Sequence, residues 1–585
     1  MCATLVKSNR PRLTDVAGLA AMVGDGDVIG VGGHHFARLP IALLRAVAER
    51  RPRNLRYVSW GGGLALEMLL EAEAVASIDI CFSSLDIFGL PPRFRSAAES
   101  GAIAVRDWTA LAMIEALRAR EANLASRPFQ LPAGSDMMTR IPGALTVDDP
   151  VSGSPVGVIP ALGIDTFLLH ASRADADGNV EIVGPRALDW PMVGAAAKVL
   201  VTVEKIVPAG HLQANGRQSI LTRNRVSAIA EAPGGAWPTS CLPYYVTDYA
   251  ALKTAFAGER PLAEAFRADA APPFVHQAAA VRVNAVPKGR FPAIHNRGAP
   301  ASIDEIMAVR LAAELDDESL ASAGAVSPLA NVAYRLAKAT HAPHMVLTTM
   351  TCGHLDVRAS PMVLSLIEGF DAETAVAHAG GDDTYSTYYQ GGYVTHEVIG
   401  VAQVDGAARV NNIAIRKRDG GMIRLPGQGG MADVANMHRD CILYVTRHSP
   451  LSLVASVAEA SSARAYVTDG ERRAHGYRPG AVKLITDLCV FAFLPGERSF
   501  SVVEIMPGVT RERIVEATAF AVRFAEDCRD VALPDAETLA VLRERVDPLG
   551  LRRLEFIGSR DRGALLDEII ARDRDTVAWL VGRSA

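Results

Sequence analysis

The chain has 585 residues, of which 49% are hydrophobic, 21% charged and 6% aromatic, a globular composition that excludes disordered, fibrous and collagenous proteins. Its net charge of −5, without a dense basic stretch, argues against nucleic acid as a partner. No apolar run reaches the roughly 18 residues that a membrane helix needs, so no membrane association is expected. We expect a cytoplasmic protein, because the seven cysteines are scattered and no hydrophobic leader segment begins the sequence.

Glycine turns between a predicted strand and a predicted helix occur in both halves of the sequence. An apolar strand ends at 29–33, and Pro40 begins a segment with one apolar helical face, followed by a strand at 54–60. In the second half, Gly324 precedes a similar segment from Pro328, followed by a strand at 343–349. In such βαβ units, parallel strands are joined by crossover helices and sites gather at the strands' carboxyl ends. We therefore predict an α/β protein with two similar open α/β domains in tandem.

Proline and glycine content predicts where the two domains meet. The stretch 266–302 is dense in both residues and is predicted to be a linker between domains at 1–265 and 303–558. Apolar residues between 565 and 570 have amphipathic spacing, which predicts a C-terminal helix or tail over 559–585. A shorter interval at 133–155 has neither strand nor helix periodicity and is predicted to be a loop over the site or an inter-domain surface.

Several sequence blocks, in order, resemble the family I CoA transferases, in particular the glutaconate CoA-transferase branch with its α-type and β-type subunits fused in one chain. The resemblance covers about residues 12–555. In the first half it rests on GGHHFARLP (32–40), ESGAI (99–103), IPALGID (159–165), HASRADADGN (170–179), AAAK (195–198), VEKI (203–206) and EAPGGA (231–236). In the second half it rests on ATHAP (339–343), GVAQVD (400–405), LPGQGG (425–430) and PGVT (507–510). It implies an α-subunit-like and a β-subunit-like domain, acyl-CoA and small carboxylates as substrates, and coenzyme A only as part of the substrate.

Glycine-rich turns are the candidate binding elements for the CoA ester. Glycines in one loop let backbone N–H groups approach an oxyanion or a thioester carbonyl closely, and the alternative is a tight turn between strands. The predicted substrate-binding and oxyanion residues are Gly32, Gly33, Gly353, Gln403, Gly427, Gly429 and Gly430.

One position departs from the family pattern in the second half. Transferases of this family use a glutamate whose carboxylate attacks the acyl-CoA thioester, giving an anhydride and then an enzyme-bound thioester. Thr351 stands where that glutamate is expected. A hydroxyl cannot form the same acyl anhydride, so either CoA is not transferred in this way or another carboxylate has taken over.

Three residues near that position are weighed as replacements. Thr351 is a candidate nucleophile or hydrogen-bond donor, or a β-branched residue that ends a strand. Cys352 is a candidate thiolate nucleophile or a small core residue. Glu397 is a candidate replacement carboxylate or a solvated charge at a strand end.

The first half offers a different carboxylate. Some relatives on this scaffold lack the glutamate and act as hydrolases on CoA-linked β-dicarbonyl compounds, using an acid shortly after a Ser-Gly-Ala-Ile stretch. Here that stretch is 100–103 and the acid is Asp107, which is alternatively the cap of a helix that begins near Trp108.

His34 and His35 are candidates to position a substrate carboxylate or act as a base, or are surface polar residues. No cluster has zinc or iron spacing, so no metal is predicted.

Three hypotheses follow for the function. The first is an acyl-CoA:carboxylate CoA transferase in carboxylic-acid catabolism, with Thr351 in place of the usual glutamate. The second is a CoA-dependent hydrolase that cleaves a C–C bond of a 3-oxoacyl or β-diketone thioester, with the acid as general base. The third is a non-catalytic CoA-ester-binding protein. A homodimer of the fused chain is expected, because such domains commonly associate through symmetric contacts.

Overall fold

Two large sheets, one in each half of the chain, form the framework of the molecule. The computed structural model describes residues 11–212, 219–267, 298–324, 327–349, 353–365, 367–417 and 419–582. The strands of the first half are β1 Arg12–Leu13, β2 Val28–Val31, β3 Leu55–Gly61, β4 Val75–Phe82, β5 Ala104–Asp107, β6 Ser126–Phe129, β7 Leu145–Asp148, β8 Pro155–Pro160, β9 Ile164–Asp175, β10 Val180–Ile182, β11 Ala196–Val207, β12 Ser219–Leu221 and β13 Ala228–Glu231. Its helices are α1 Val16–Ala20, α2 Ile41–Arg50, α3 Gly63–Glu71, α4 Pro92–Ser100, α5 Ala110–Glu121, α6 Asp189–Ala195, α7 Tyr249–Phe256 and α8 Leu262–Ala265.

The second half has the same alternation of strands and helices. Its strands are β14 Leu320–Ala323, β15 Val346–Thr349, β16 His354–Leu355, β17 Ala377–His378, β18 His396–Gly400, β19 Gln403–Val404, β20 Val410–Asn411, β21 Ala414–Arg416, β22 Met422–Arg424, β23 Asp440–Val445, β24 Val482–Thr486, β25 Cys489–Phe493, β26 Phe500–Ile505 and β27 Phe524–Asp530. Its helices are α9 Ile303–Ala312, α10 Pro328–Ala339, α11 Ile367–Thr374, α12 Gly381–Asp383, α13 Met431–Met437, α14 Asp469–Ala474, α15 Arg511–Ala517, α16 Ala536–Val541 and α17 Ser559–Gly582.

Both large sheets have a parallel centre. In the first sheet the strands follow the order β1-β13-β11-β9-β2-β3-β4-β5, all of them parallel to their neighbours, with β10 and β12 attached at one side. In the second sheet the order is β17-β16-β15-β14-β18-β23-β24-β25-β26-β27, and β15 to β24 are parallel. Helices cover these sheets, so the central strands are buried. Their sequences are accordingly continuous apolar runs. The predicted α/β class with two open domains in tandem is confirmed.

The turn chemistry of the two predicted βαβ units also agrees with the structure. Pro40 is the residue before α2, and Pro328 is the first residue of α10, where its missing N–H has no helical partner to lose. The two units place the carboxyl ends of β2 and β14 at corresponding edges of their sheets. These edges are where the candidate site is found.

The interval 133–155 contains a strand that the sequence did not predict. Leu145–Asp148 pairs antiparallel with β8, in a small sheet of order β6-β8-β7. All four residues of this strand are exposed, and its alternation of apolar and polar residues is only four residues long, which is too short to mark it in the sequence. The same interval contacts the second half, because the backbone N–H of Asp136 donates to the carbonyl of Ala460 at 2.8 Å.

The last helix, α17, packs on both halves of the molecule. Arg562 Nη2 donates to the carbonyl of Ile87 at 2.7 Å, and Asp573 Oδ1 accepts from the N–H of Ser365 at 3.2 Å. The linker predicted at 266–302 lies largely outside the described residues, so the domain boundaries stay a prediction. Among the described helices, none combines the length and apolarity that crossing a membrane requires.

Candidate active site

A cavity of about 170 Å³ lies between the two halves, at the carboxyl ends of their parallel strands. The loops after β2 and β4 form one wall, and the segments after β14 and β15, together with α10 and α11, form the other. The chemistry-bearing residues of its lining are His34, His35, Asp86, Tyr249, Gly324, Asn331, Arg335, Thr349, His354, Glu368 and Asp371. Carboxyl ends of parallel strands are the usual place for ligands in open α/β sheets. This cavity is therefore the candidate active site.

Glu368, on α11, is a half-buried residue of the cavity wall whose Oε1 atom is shielded from solvent. Ser240 Oγ donates to its Oε2 at 2.5 Å, while its Oε1 has no hydrogen-bond partner among the described residues. Burial raises the pKa of Glu368 to about 7, against the opposing effects of the Ser240 hydrogen bond and the charge of Arg38. A carboxyl group with a pKa near neutrality can both accept and return a proton at physiological pH.

Strained backbone surrounds the same cavity on the side of the first half. His35, Arg38 and Asp86 have φ values of 51°, 54° and 54°, in the left-handed region that non-glycine residues rarely occupy. Arg38 is held there by its side chain, which donates to the carbonyl of His170 and to Asp189. Desolvation raises the pKa of Asp86 to about 7. Strain of about 1–3 kcal/mol per residue is typical of functional sites, where the surrounding structure maintains it.

The cavity histidines are neutral. Burial lowers the pKa of His35 to about 4 and of His354 to about 3, and it also lowers the pKa of His34. The Nε2 atoms of all three have no hydrogen-bond partner among the described residues. They can therefore exchange hydrogen bonds with a polar ligand, but they bring no positive charge.

The cationic side chain of the lining is already neutralised. Arg335 is 1% exposed, and its Nη2 lies 2.7 and 2.9 Å from the two carboxylate oxygens of Asp371. Among the described lining residues, no cation is left without an acidic partner. The described part of the cavity wall consequently has no unpaired cation that would compensate a bound anion.

Asp107 lies at the end of β5 in a buried ion-pair cluster. Its carboxylate is 2.5 and 3.0 Å from the guanidinium nitrogens of Arg424 in the second half, and 3.0 Å from Arg140. It is not among the lining residues of the described cavity. The helix-cap interpretation is wrong, because Thr109 caps α5 by accepting from the N–H of Ala112. A catalytic role for Asp107 stays a prediction, and its contacts are those of a structural ion pair.

Glu397 is the second residue of β18, and it is only 7% exposed. The interpretation of this residue as a solvated strand-end charge is therefore wrong. Burial raises its pKa to about 8. Its nearest basic atom is His438 Nδ1, 3.6 Å from Oε2.

Thr351 and Cys352 lie outside the described residues, so their predicted roles stay predictions. Thr349 and His354, on either side of them, both line the cavity. Gly353 donates its N–H to the carbonyl of Thr349 at 2.8 Å.

The predicted oxyanion glycines donate their N–H groups within the protein. Gly32 donates to the carbonyl of Leu168 at 2.9 Å, and Gly33 donates to Asp189 Oδ1 at 3.0 Å. In the LPGQGG loop, Gly427 donates to the carbonyl of Asn412 and Gly429 to that of Cys81, both at 2.9 Å. Binding an oxyanion through these groups would require the loops to rearrange.

Close packing explains why glycine stands at these positions. A Cβ on Gly32 would lie 2.8 Å from the Phe167 ring, and one on Gly427 would lie 2.6 Å from the carbonyl oxygen of Cys81. A Cβ on Gly430 would overlap the Tyr385 hydroxyl group. Gln403 is equally structural, since its amide bridges Leu451 and Asn411. A direct role of these residues in CoA-ester binding stays a prediction.

Gly32→Ala and Gly427→Ala are expected to lower the free energy of unfolding by about 1–3 kcal/mol, because each added methyl group meets fixed atoms. Urea denaturation measures this loss. Gly563→Ala, on α17, is the control and is not expected to lower stability, since no described atom lies within 4 Å of its added methyl group. Unchanged stability with weakened CoA-ester binding would instead support the oxyanion role.

One group of buried side chains has the proximity of metal ligands. Donor atoms of His170, Glu204 and Cys241 lie within 4.8 Å of one another. Both ring nitrogens of His170 are already engaged, with Thr202 and Glu204 at 2.9 Å each, and burial raises the pKa of the Cys241 thiol. A protonated thiol is a poor metal ligand, so these contacts describe a hydrogen-bonded network.

A family model described as Coenzyme A transferase matches residues 14–217 and 304–517. The chain belongs to the coenzyme A transferase family. It is 31% identical over 244 residues to one of the 3-oxoadipate CoA-transferase subunits of Pseudomonas knackmussii, covering 41% of this chain and 92% of that relative. It is 32% identical over 238 residues to the cholesterol ring-cleaving hydrolase IpdA subunit of Mycobacterium tuberculosis, covering 39% and 81%.

A solved structure shows the same fold over nearly the whole chain. The acyl-CoA transferase YdiF of Escherichia coli O157:H7, solved as a thioester complex with CoA, matches with a TM-score of 0.66 and 15% identity, over 94% of this chain and 99% of that one. The family model and the relatives confirm the family assignment from the sequence and the identification as an enzyme of the coenzyme A transferase family, and the solved structure confirms the fold.

Sequence reasoning missed Glu368 and Asp86 as site residues. Glu368 follows an apolar segment and resembles a solvated charge on an amphipathic helix, and Asp86 resembles an ordinary turn residue. Neither residue lies directly after a strand of the predicted βαβ units, since Asp86 follows β4, which was not predicted, and Glu368 lies 19 residues beyond β15. The contact between Ser240 and Glu368 joins residues 128 positions apart and leaves no local pattern.

Proposed function

We propose that this enzyme hydrolyses a C–C bond of a 3-oxoacyl or other β-dicarbonyl CoA thioester, with Glu368 as the general base. The observation that carries the proposal is the Glu368 carboxyl group, which lies in the cavity with Oε1 unpartnered among the described residues and a pKa of about 7. A general base works best when its pKa is close to the operating pH.

The chemistry balances with one water molecule and one carboxyl group. Glu368 takes a proton from water while the water oxygen bonds to the carbonyl carbon beyond the α-carbon of the thioester. The C–C bond then breaks, and its electron pair becomes the enolate of the remaining thioester. Protonated Glu368 returns the proton to the enolate carbon. The products are a carboxylic acid and a shortened acyl-CoA.

The charge of the cavity favours this reaction over one that needs a free carboxylate. A carboxylate that enters a desolvated site needs a cation to replace its hydration, and the Arg335 guanidinium is already paired with Asp371. A neutral dicarbonyl group has no such requirement and can accept hydrogen bonds from neutral groups of the wall. The likeness to a subunit of a ring-cleaving hydrolase gives further support.

CoA transfer between carboxylates is the second candidate, because the family and the 3-oxoadipate CoA-transferase relative favour it. In the sequence, 346–353 contains no acidic residue, and Thr351 stands at the expected glutamate position. Transfer would therefore need another carboxylate as nucleophile, for which Glu368 and Glu397 are the candidates. Asp107, Thr351 and Cys352 remain the catalytic candidates proposed from the sequence.

The proposed setting is the cytoplasm, with a homodimer of the fused chain as the working form. The scattered cysteines and the frequency of symmetric association among soluble enzymes support this proposal.

Mass spectrometry of acyl-CoA thioesters incubated in ¹⁸O-labelled water, with and without acetate or succinate, tests the two candidates together. C–C hydrolysis predicts a shortened acyl-CoA and an ¹⁸O-labelled acid without any added carboxylate. A new acyl-CoA that forms only when acetate or succinate is present would contradict hydrolysis and support transfer. Release of free CoA alone, or no product from any 3-oxoacyl thioester, would also contradict the proposal.

A further inference from the structure

We infer that Glu397, as a neutral carboxylic acid, donates a hydrogen bond through the gap at Gly324 to the thioester oxygen that becomes negative when the C–C bond breaks. This inference rests on the proposed function and assigns a second catalytic group to the same cavity. It differs from the role of replacement nucleophile, because Glu397 keeps its proton and forms no covalent bond.

The proposed gap is at residue 324, which has no side chain. Gly324 follows β14 and lines the cavity, whereas Glu397, on the neighbouring strand β18, is not among the described lining residues. A Cβ built on Gly324 would be 3.5 Å from Glu397 Oε1. The proposed path from the carboxyl group to the cavity therefore passes the position where residue 324 would carry a side chain.

The surroundings of Glu397 keep its proton in place. The groups that face it are Tyr334 of α10, Tyr385 and Tyr389 of the turn at 384–389, and His438 after α13. All four are neutral at physiological pH, since burial raises the pKa of the tyrosines and lowers that of His438 to about 3. No cation of the described residues faces Glu397, so burial raises its pKa to about 8.

The reaction needs such a donor. An enolate oxygen requires hydrogen-bond donors that are in place before the charge develops, and a buried carboxylic acid held neutral at pH 7 serves this purpose well. The N–H groups of Gly32, Gly33, Gly427 and Gly429 donate elsewhere. Glu368 and Glu397 thus have separate roles: one moves a proton and the other keeps its own.

Three variants test the inference: Glu397→Ala, Glu397→Gln and Gly324→Ala. Glu397→Ala removes the donor, and loss of one such donor typically lowers kcat by about 10²–10³-fold. Glu397→Gln retains an N–H donor and is expected to stay within about tenfold of the wild type. Gly324→Ala is expected to screen the carboxyl group and to match Glu397→Ala, although the nearest described atom to its methyl group, Glu397 Oε1, is 3.5 Å away. Gly470→Ala, in open space, is the matched control.

Two assays on the full chain separate this inference from the proposed function. The first is hydrolysis of 3-oxoacyl-CoA, and the second is exchange of the α-protons of a saturated acyl-CoA in D₂O, which needs only the enolate. We expect Glu397→Ala and Gly324→Ala to lose whichever of the two activities the wild type has. Glu397→Gln is expected to retain it. In the wild type, activity should fall above about pH 8 as Glu397 ionises, and this fall should be absent in Glu397→Gln.

The contrary outcomes are distinct. If the wild type catalyses hydrolysis or exchange and Glu397→Ala and Gly324→Ala do so equally well, the inference is overturned. The proposed function would still stand. α-Proton exchange without hydrolysis would overturn the proposed function alone. A wild type that catalyses neither reaction would overturn both.

Discussion

Glu368→Gln is expected to lower kcat for 3-oxoacyl-CoA hydrolysis by about 10²–10⁴-fold, the usual contribution of a positioned general base. The amide keeps the size of the side chain but cannot take the proton from water. In the wild type, kcat/KM should rise as pH increases through about 7, because the base acts only after it loses its proton. Steady-state assays between pH 5 and 9, with product detection by mass spectrometry, measure both effects.

Glu373→Gln is the matched control for this variant, because Glu373 is exposed on the same helix, α11. It should leave kcat and the pH profile unchanged. If Glu368→Gln were fully active and its kcat/KM still rose through about pH 7, the general base would be a different residue. Asp86, with its pKa of about 7 in the opposite wall, would then be the first alternative.

Asp107→Asn is expected to lower the free energy of unfolding by about 3–5 kcal/mol, the usual cost of removing one partner of a buried ion pair. Asp107 is 2% exposed, and its loss of charge leaves the guanidinium of Arg424, 3% exposed, without compensation. The pair joins β5 of the first half to β22 of the second, so the contact between the halves should weaken. Urea denaturation monitored by circular dichroism measures the change.

Asp177→Asn provides the control, since Asp177 and Arg223 form an ion pair in which both side chains are about half exposed. Exposed pairs contribute little, so no clear change in stability is expected. A stable Asp107→Asn variant that binds CoA esters but fails to hydrolyse them would reverse the structural interpretation. It would instead support the general-base role that the sequence resemblance implies.

Local patterns explain what the sequence could predict of the fold. Apolar runs of strand length, glycine turns and Pro40 or Pro328 at the start of a helix are properties of neighbouring residues, so the βαβ units could be recognised. The strand predicted at 343–349 is Val346–Thr349 in the structure, a shift of three residues at its start. Leu145–Asp148 was missed because its alternation of apolar and polar residues spans only four positions and both of its apolar side chains are exposed.

The candidate site was harder to predict, because its contacts join distant parts of the chain. Asp107 and Arg424 are 317 residues apart, and nothing near either one shows that they meet. Glu397 was identified as a candidate carboxylate, but its burial depends on helices and strands from elsewhere in the second half. The glycines of the LPGQGG loop were recognised as special, yet their close packing against Cys81 and Phe82 is visible only in the folded protein.

The position of the cavity, with one wall from each half of a single polypeptide, has a consequence for mass action. When two walls belong to separate subunits, dilution dissociates them and the fraction of complete sites falls. In this protein the halves are covalently joined, so each meets the other at a fixed effective concentration. The number of complete cavities is therefore proportional to the number of chains, however dilute the protein is.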